Sequence, residues 1–228
     1  MSSRLKAIVS MVPNVKIVAD IGCDHGKAAV FLLEAGKAQT AVCGDISEKS
    51  LKKAERLAHS KGLEKRMSFR EGDGLSVLED GEADAAVIAG MGGELIARIL
   101  GDAGEKAPCT LVLSCNTKTE ALRQWLCGNG YVIEDEELIA EGNRFYPVIL
   151  AKRGRSRQFS EIELELGPVL LKKRPETLLR LIDKRIGKQK QYIDSIKKHA
   201  PGSSGVKIKE IEERIKTYEE VINACRIG

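Results

Sequence analysis

Aromatic side chains make up only 4% of the 228 residues, and the six cysteines, at 23, 43, 109, 115, 127 and 225, include no CxxC pair. So few rings leave few platforms for stacking on a base, and scattered thiols in apolar runs behave as small hydrophobes. Neither a disulfide framework nor a zinc site is expected. Long apolar runs are missing too. The opening MSSRLKAIVSMVP has no stretch of signal-peptide length, and nowhere do about 18 consecutive apolar residues occur to span a bilayer. The expectation is a soluble, cytoplasmic protein with no membrane partner. Its 43% hydrophobic residues suffice for one substantial core and a small appended unit.

Charge is divided unevenly along the chain. Residues 151–228 hold 19 of the 37 Lys+Arg and 11 of the 33 Asp+Glu, a net of +8, which leaves residues 1–150 at −4. A basic C-terminal segment beside a mildly acidic body suits attraction to a polyanion, with the chemistry elsewhere. A solvated helical face accounts for the same charges.

From Lys16 to Ala151, short β-branched runs alternate with helix-like segments, which predicts an α/β fold with a parallel sheet covered on both faces. KIVADIG, AVCGDI, MSFREGD, ADAAVIAGM and TLVLSCN read as five strands, with helices over Lys27–Gly36, Ser47–Lys61, Gly92–Leu100 and Thr119–Gly128. YVIEDEELIAEGNRFYPVILAKR then reads as an antiparallel hairpin turning at Glu141-Gly142-Asn143. Beyond Arg153 the β signal stops. Leu179, Ile182, Ile186, Gln189, Ile193 and Ile196 are spaced 3, 4, 3, 4, 3, and Ile208, Ile211, Ile215, Tyr218, Ile222 and Cys225 repeat that spacing. With HAPGSSG between them, the two runs predict an antiparallel coiled-coil hairpin. The expected domains are residues 1–153 and 154–228.

Four strand ends carry the chemistry. Asp20-x-Gly22 closes the first strand and runs into a helix, where open α/β sheets place a nucleotide. The dinucleotide fingerprint GxGxxG is absent, since only Gly22 and Gly26 occur there, and Asp24 would set a carboxylate against a pyrophosphate. S-adenosylmethionine has no phosphate, and its sulfonium and amino group are cationic, so an acidic loop becomes favourable. Asp45, followed by Ile46, ends the second strand where a carboxylate takes ribose hydroxyls. Gly72-Asp73-Gly74 ends the third, where a carboxylate can accept an adenine amine, and Ala89-Gly90-Met91 opens the AGMGG string that ends the fourth. Together these loops predict a cofactor cleft at one sheet edge.

DIGCDHG, GDI, GDGL and IAGMGG, followed by the coiled-coil tail, resemble the bacterial tRNA methyltransferases that modify N1 of adenine 22. The resemblance covers essentially the whole chain. It implies a Rossmann-like class I methyltransferase sheet of seven strands, S-adenosylmethionine as donor and tRNA as partner. It also implies a donor site lined by Asp20, Gly22, His25, Asp45, Asp73, Ala89 and Gly90; the strand-end loops themselves add Gly26, Ile46, Gly72, Gly74 and Met91 as candidates. Two departures stand out: Gly26-Lys27 where relatives often carry an aromatic, and Ser114-Cys115-Asn116 where a Gln-Pro-Asn sort of string is usual.

Adenine N1 already has a free lone pair, so transfer to it needs positioning more than a general base. The NPPY or DPPY string of amine methyltransferases is absent, which disfavours N6 chemistry. The base must leave its stack, and the product ring is cationic. Asp24 is the candidate for stabilising that cation or accepting from the N6 amine. His25 would orient donor or substrate. The alternative is that Asp24 caps the helix after it and His25 satisfies backbone. Asn116 by hydrogen bonding and Tyr146 by stacking are the candidates for holding the base. The basic tail would meet RNA phosphates or pair copies of the chain, as a monomer or weak homodimer. Other readings are a class I methyltransferase acting on a small molecule or protein, and a non-catalytic RNA-binding protein with a retained pocket.

Overall fold

Two-face burial explains the near-continuous apolar strands. In the computed structural model, which describes residues 1–199 and 205–227, seven strands form one sheet in the order β3-β2-β1-β4-β5-β7-β6. β1 (Val15–Ile21), β2 (Ala38–Asp45), β3 (Met67–Glu71), β4 (Ala85–Gly92) and β5 (Thr110–Thr117) are parallel. β6 (Tyr131–Glu141) and β7 (Arg144–Arg153) form the antiparallel hairpin, β7 pairing with β5. Alternate side chains divide the core: Val18 and Val87 face one layer, Ala19 and Ile88 the other. The expected Rossmann-like architecture is the observed one.

The first layer is built on α1 (Ser3–Met11), α2 (Lys27–Glu34) and α3 (Glu48–Ser60), through Ile8, Leu33 and Leu51. The second is built on α4 (Gly93–Ala103) and α5 (Thr119–Gly128), through Ile96, Leu100 and Leu122. Sheet order reverses between β1 and β4, so their carboxyl ends diverge into a crevice, the usual ligand position in such sheets.

The sheet ends at Arg153, and the compact unit that contains it ends at Val169. A buried ion pair fixes the intervening segment. Arg123 Nε on α5 donates to Glu136 Oε1 on β6 at 2.7 Å. Arg123 Nη1 donates to the carbonyls of Leu164 and Glu165, and the Val169 amide donates to Glu136 Oε2. The two carbonyls lie on α6 (Glu161–Leu166), which opens on a Ser160–Glu163 capping box, and the Val169 donor lies just beyond it. Gly167 is required beside the pair. A Cβ there would lie 2.7 Å from Glu136 Oε2, and its φ is +104°.

The second unit, residues 170–228, holds the end of α7 (Pro168–Lys173), α8 (Glu176–His199) and α9 (Gly205–Ile227). Ile182, Ile186 and Ile193 on α8 and Ile211, Ile215, Tyr218 and Ile222 on α9 are buried along the expected seam. In the first turn of α8 Leu178 is buried, and Leu179 is half-buried. Lys190 Nζ lies 3.9 Å from Glu219 across an antiparallel pair. Of the HAPGSSG link, residues 200–204 lie outside the described residues.

Candidate donor and acceptor site

The loop after β1 is shaped by what its amides bind. The Gly22 and Cys23 N–H groups both donate to the Gly44 carbonyl at the end of β2, at 2.8 and 3.2 Å. The Asp24 N–H donates to Asp45 Oδ2 at 3.1 Å, and the Ser47 N–H donates to Asp45 Oδ1 at 2.9 Å. In a phosphate-binding loop such amides point at the ligand. Here the protein uses them to hold its own groups in place, and the groups presented to the crevice are carboxylates.

Asp20, only 5% exposed, sits at the bottom of that crevice. Its Oδ2 accepts from the Ala29 N–H at 3.1 Å, so a strand carboxylate satisfies the first turn of α2. Burial pushes its pKa up to about 7; the Ala29 bond opposes the rise and the charge of Asp45 adds to it. Asp24 does not cap this helix. α2 starts after Gly26 with no side-chain cap, and Asp24 holds a left-handed φ of +45° with its side chain exposed. Its carboxylate lies 3.4 Å from His25 Nε2 and 3.7 Å from Lys53 Nζ.

Two glycines permit close approach. Gly22 has φ +68°, and a Cβ on it would fall 2.0 Å from Met91 Cε. Gly74 has φ +56°, and a Cβ on it would fall 2.7 Å from Ile99 Cγ2. At the end of β4 the register with β5 shifts around Met91, which frees the Gly90 carbonyl to accept from Asn116 Nδ2 at 2.6 Å.

These strand ends enclose a cavity of about 790 Å³, within the range of small-molecule sites. Asp20, Gly22, Asp24, His25, Asp45, Ile46, Gly72, Asp73, Gly74, Ala89, Gly90 and Met91 all line it. Gly26 does not. Its missing side chain faces α3, where a Cβ would meet Ala54 Cβ at 2.8 Å, and its φ of +64° makes it the turn into α2. Asn116 and Tyr146 also lie outside the lining, and a residue that does line it joins them. Arg4, on α1, donates from Nη1 to Asn116 Oδ1 at 2.9 Å and lies over the Tyr146 ring, 4.5 Å from its centroid.

α1 was not among the expected elements, and it supplies Ser2, Arg4, Leu5 and Ile8 to the wall. Its signal was present in the sequence. Leu5, Ile8, Val9 and Val12 are at helical spacing behind Ser2, whose hydroxyl accepts from the Leu5 N–H. Leu95, Arg98 and Ile99 on α4 were missed as well.

The residues present fit S-adenosylmethionine. Three carboxylates, Asp20, Asp45 and Asp73, stand where a cation and hydroxyls can be received, and the amides that would cradle a pyrophosphate are already engaged. Among the described residues no group of side chains could hold a metal ion, and no helix is long and apolar enough to cross a membrane.

Comparison with known proteins agrees with this chemistry. Residues 1–149 match the family described as Methyltransferase domain. The tRNA (adenine(22)-N(1))-methyltransferase of Bacillus subtilis is 32% identical over 231 residues, covering 98% of this chain and 97% of that protein. The crystal structure of the B. subtilis M1A22 tRNA methyltransferase TrmK superposes with a TM-score of 0.85 at 31% identity, covering 97% of this chain and 98% of that one. Streptococcus pneumoniae Sp1610 in complex with S-adenosyl-L-methionine superposes at 0.86 with 27% identity, covering 97% and 99%. With carboxylate-lined strand ends, a full-length relative and a shared fold, the chain belongs to the methyltransferase-domain family, in the branch of the B. subtilis tRNA (adenine(22)-N(1))-methyltransferase.

Proposed function

We propose that this chain transfers a methyl group from S-adenosylmethionine to N1 of adenine 22 in tRNA. The observation that carries the donor is the loop after β1, whose amides hold Gly44 and Asp45 while carboxylates face the cavity. The acceptor rests on the full-length relation to a tRNA (adenine(22)-N(1))-methyltransferase.

When bound, S-adenosylmethionine supplies an electrophilic methyl on a sulfonium. Asp45 accepts the ribose hydroxyls with the lone pairs its two backbone donors leave, and Asp73 accepts from the adenine amine. Gly22 and Gly74 let Met91 and Ile99 pack close against the strand ends that line the cavity. Asp20 offers a charge to the donor's cationic part. The acceptor nitrogen needs no base to free its lone pair, so the remaining task is to hold it in line and dry. Asn116 and Tyr146 hold the flipped base by hydrogen bonding and stacking, and Asp24, exposed beside His25, stabilises the cationic ring that forms.

The labour divides along the chain. The part up to Arg153 carries the donor site, and the net charge of +8 over residues 151–228 reaches RNA phosphates. The seam is filled within one hairpin, which suits a monomer or weak dimer. Six free cysteines suit the reducing cytoplasm.

The test is to incubate the protein with S-adenosylmethionine and unmodified bacterial tRNA, digest to nucleosides and identify the product by mass spectrometry. 1-Methyladenosine is expected, and it should vanish when adenine 22 of the transcript is changed to guanine. N6-methyladenosine would leave the donor site standing and overturn the acceptor; no methylated nucleoside would overturn the whole reading.

A further inference from the structure

We infer that Arg4 is a positioning residue for the acceptor base, acting through Asn116 and Tyr146; the inference rests on the function proposed above. Arg4 meets three elements at once. Its backbone N–H donates to Glu141 Oε1 on β6 at 3.0 Å, its Nη1 donates to Asn116 Oδ1 at the end of β5, and its guanidinium covers Tyr146 on β7. It also lines the cavity that the donor-site carboxylates line.

These contacts settle the orientation of Asn116. A guanidinium has no acceptor, so the amide oxygen must face Arg4. The Gly90 carbonyl has no donor, so the amide nitrogen must face Gly90, and it does at 2.6 Å. One lone pair on Oδ1 and one N–H on Nδ2 remain for a ligand. Adenine offers a matching edge: its N6 amine can donate to that oxygen and N7 can accept from that N–H, which leaves the N1 lone pair free to react. Without Arg4 the amide keeps its bond to Gly90 but loses the donor that fixes its oxygen, so the pair of groups offered to adenine is held less firmly in register with N1 and the methyl group.

The same guanidinium braces the stacking partner. By covering one face of Tyr146, Arg4 lowers the freedom of the ring to swing. The two effects together need the planar fork and not merely a positive charge, because a single lysine ammonium cannot lie flat on the ring and donate to the amide oxygen at the same time.

The test uses the full chain with tRNA under saturating donor, comparing Arg4→Ala, Arg4→Lys, Asn116→Ala and the Arg4→Ala/Asn116→Ala double variant. Both Arg4 variants should lose at least tenfold in kcat, with donor Kd within twofold of the original and a smaller change in KM for tRNA. The double variant should lose less than the product of the two single losses, the loss beyond Asn116→Ala being the part that Arg4 exerts through Tyr146. The inference is overturned if Arg4→Lys retains full kcat, if the loss lies in KM alone as for a phosphate contact, if donor affinity falls with kcat, or if the two substitutions multiply. Absence of methylated product from the unaltered chain would overturn the function and this inference together.

Discussion

Asp20 stores a cost in the free protein that the ligand should relieve, and Asp20→Asn exposes it. The carboxyl's pKa rises from 3.8 to about 7 on folding, chiefly through burial. Between those values the folded chain binds a proton there that the unfolded chain has released, so stability falls as pH rises through this window and levels off above about 7. A shift of about 3 units corresponds to about 4 kcal/mol as an upper bound. Asparagine is neutral throughout, nearly isosteric, and keeps an oxygen for the Ala29 amide. The variant should therefore match the original in stability near pH 4 and exceed it by up to about 4 kcal/mol at pH 8, read from urea midpoints.

Donor binding should move the other way. Only the ionised carboxylate attracts a cationic ligand, and with a pKa of about 7 the ionised fraction falls about tenfold between pH 8 and pH 6. The donor's own amine titrates nearby, so the informative quantity is the ratio of Kd for Asp20→Asn to Kd for the original chain at each pH, by calorimetry. That ratio should shrink by about tenfold from pH 8 to pH 6. A flat ratio, or an Asp20→Asn chain less stable than the original at pH 8, would refute the reasoning.

Three further substitutions test the surroundings. Gly22→Ala places a methyl 2.0 Å from Met91 Cε on a left-handed backbone, and should weaken donor binding at least tenfold in calorimetry with about 1–2 kcal/mol of lost stability. Arg123→Ala leaves Glu136 buried without its ion-pair partner and should cost about 3–5 kcal/mol in thermal or urea unfolding, whereas a loss under 1 kcal/mol would mean the pair does not fix α6. Asp24→Asn keeps a residue type that tolerates φ +45° and removes the charge; turnover should fall about tenfold with donor Kd unchanged, and full turnover would end its assignment to the cationic product.

The sheet was legible because burial on both faces leaves little but Val, Ile, Leu, Ala and Cys between turn residues, as in β1 and β5. Asp20 and Asp45 were legible because each closes such a run, and Asp73 because it stands between two glycines at a strand end. What escaped depends on pairing across the fold. Arg123 and Glu136 read as ordinary charges on an amphipathic helix and a strand, and nothing local says that they meet in the core and hold α6. Arg4 escaped for a related reason: its helix was not among the expected elements, and its partners lie 112 and 142 positions away in the chain. Gly26 was misplaced because a glycine beside a ligand loop and a glycine beside a neighbouring helix look alike until α3 is folded against it.

The acidic loop follows from one inversion of polarity. In phosphate-binding α/β sites the loop amides face the ligand and the side chains retreat to glycine. Here the amides of Gly22, Cys23 and Asp24 turn inward to a carbonyl and a carboxylate, which pins Asp45 from one side while Ser47 pins it from the other. Carboxylates held by backbone donors keep their place without a cation, so the edge is ordered before any ligand arrives. Asp24 must adopt a left-handed backbone to deliver its amide to Asp45, and that same turn sets its side chain outside the loop, between His25 and Lys53. Its charge is therefore not needed to build the donor site or to start α2, which leaves it available to the reaction at the mouth of the cavity.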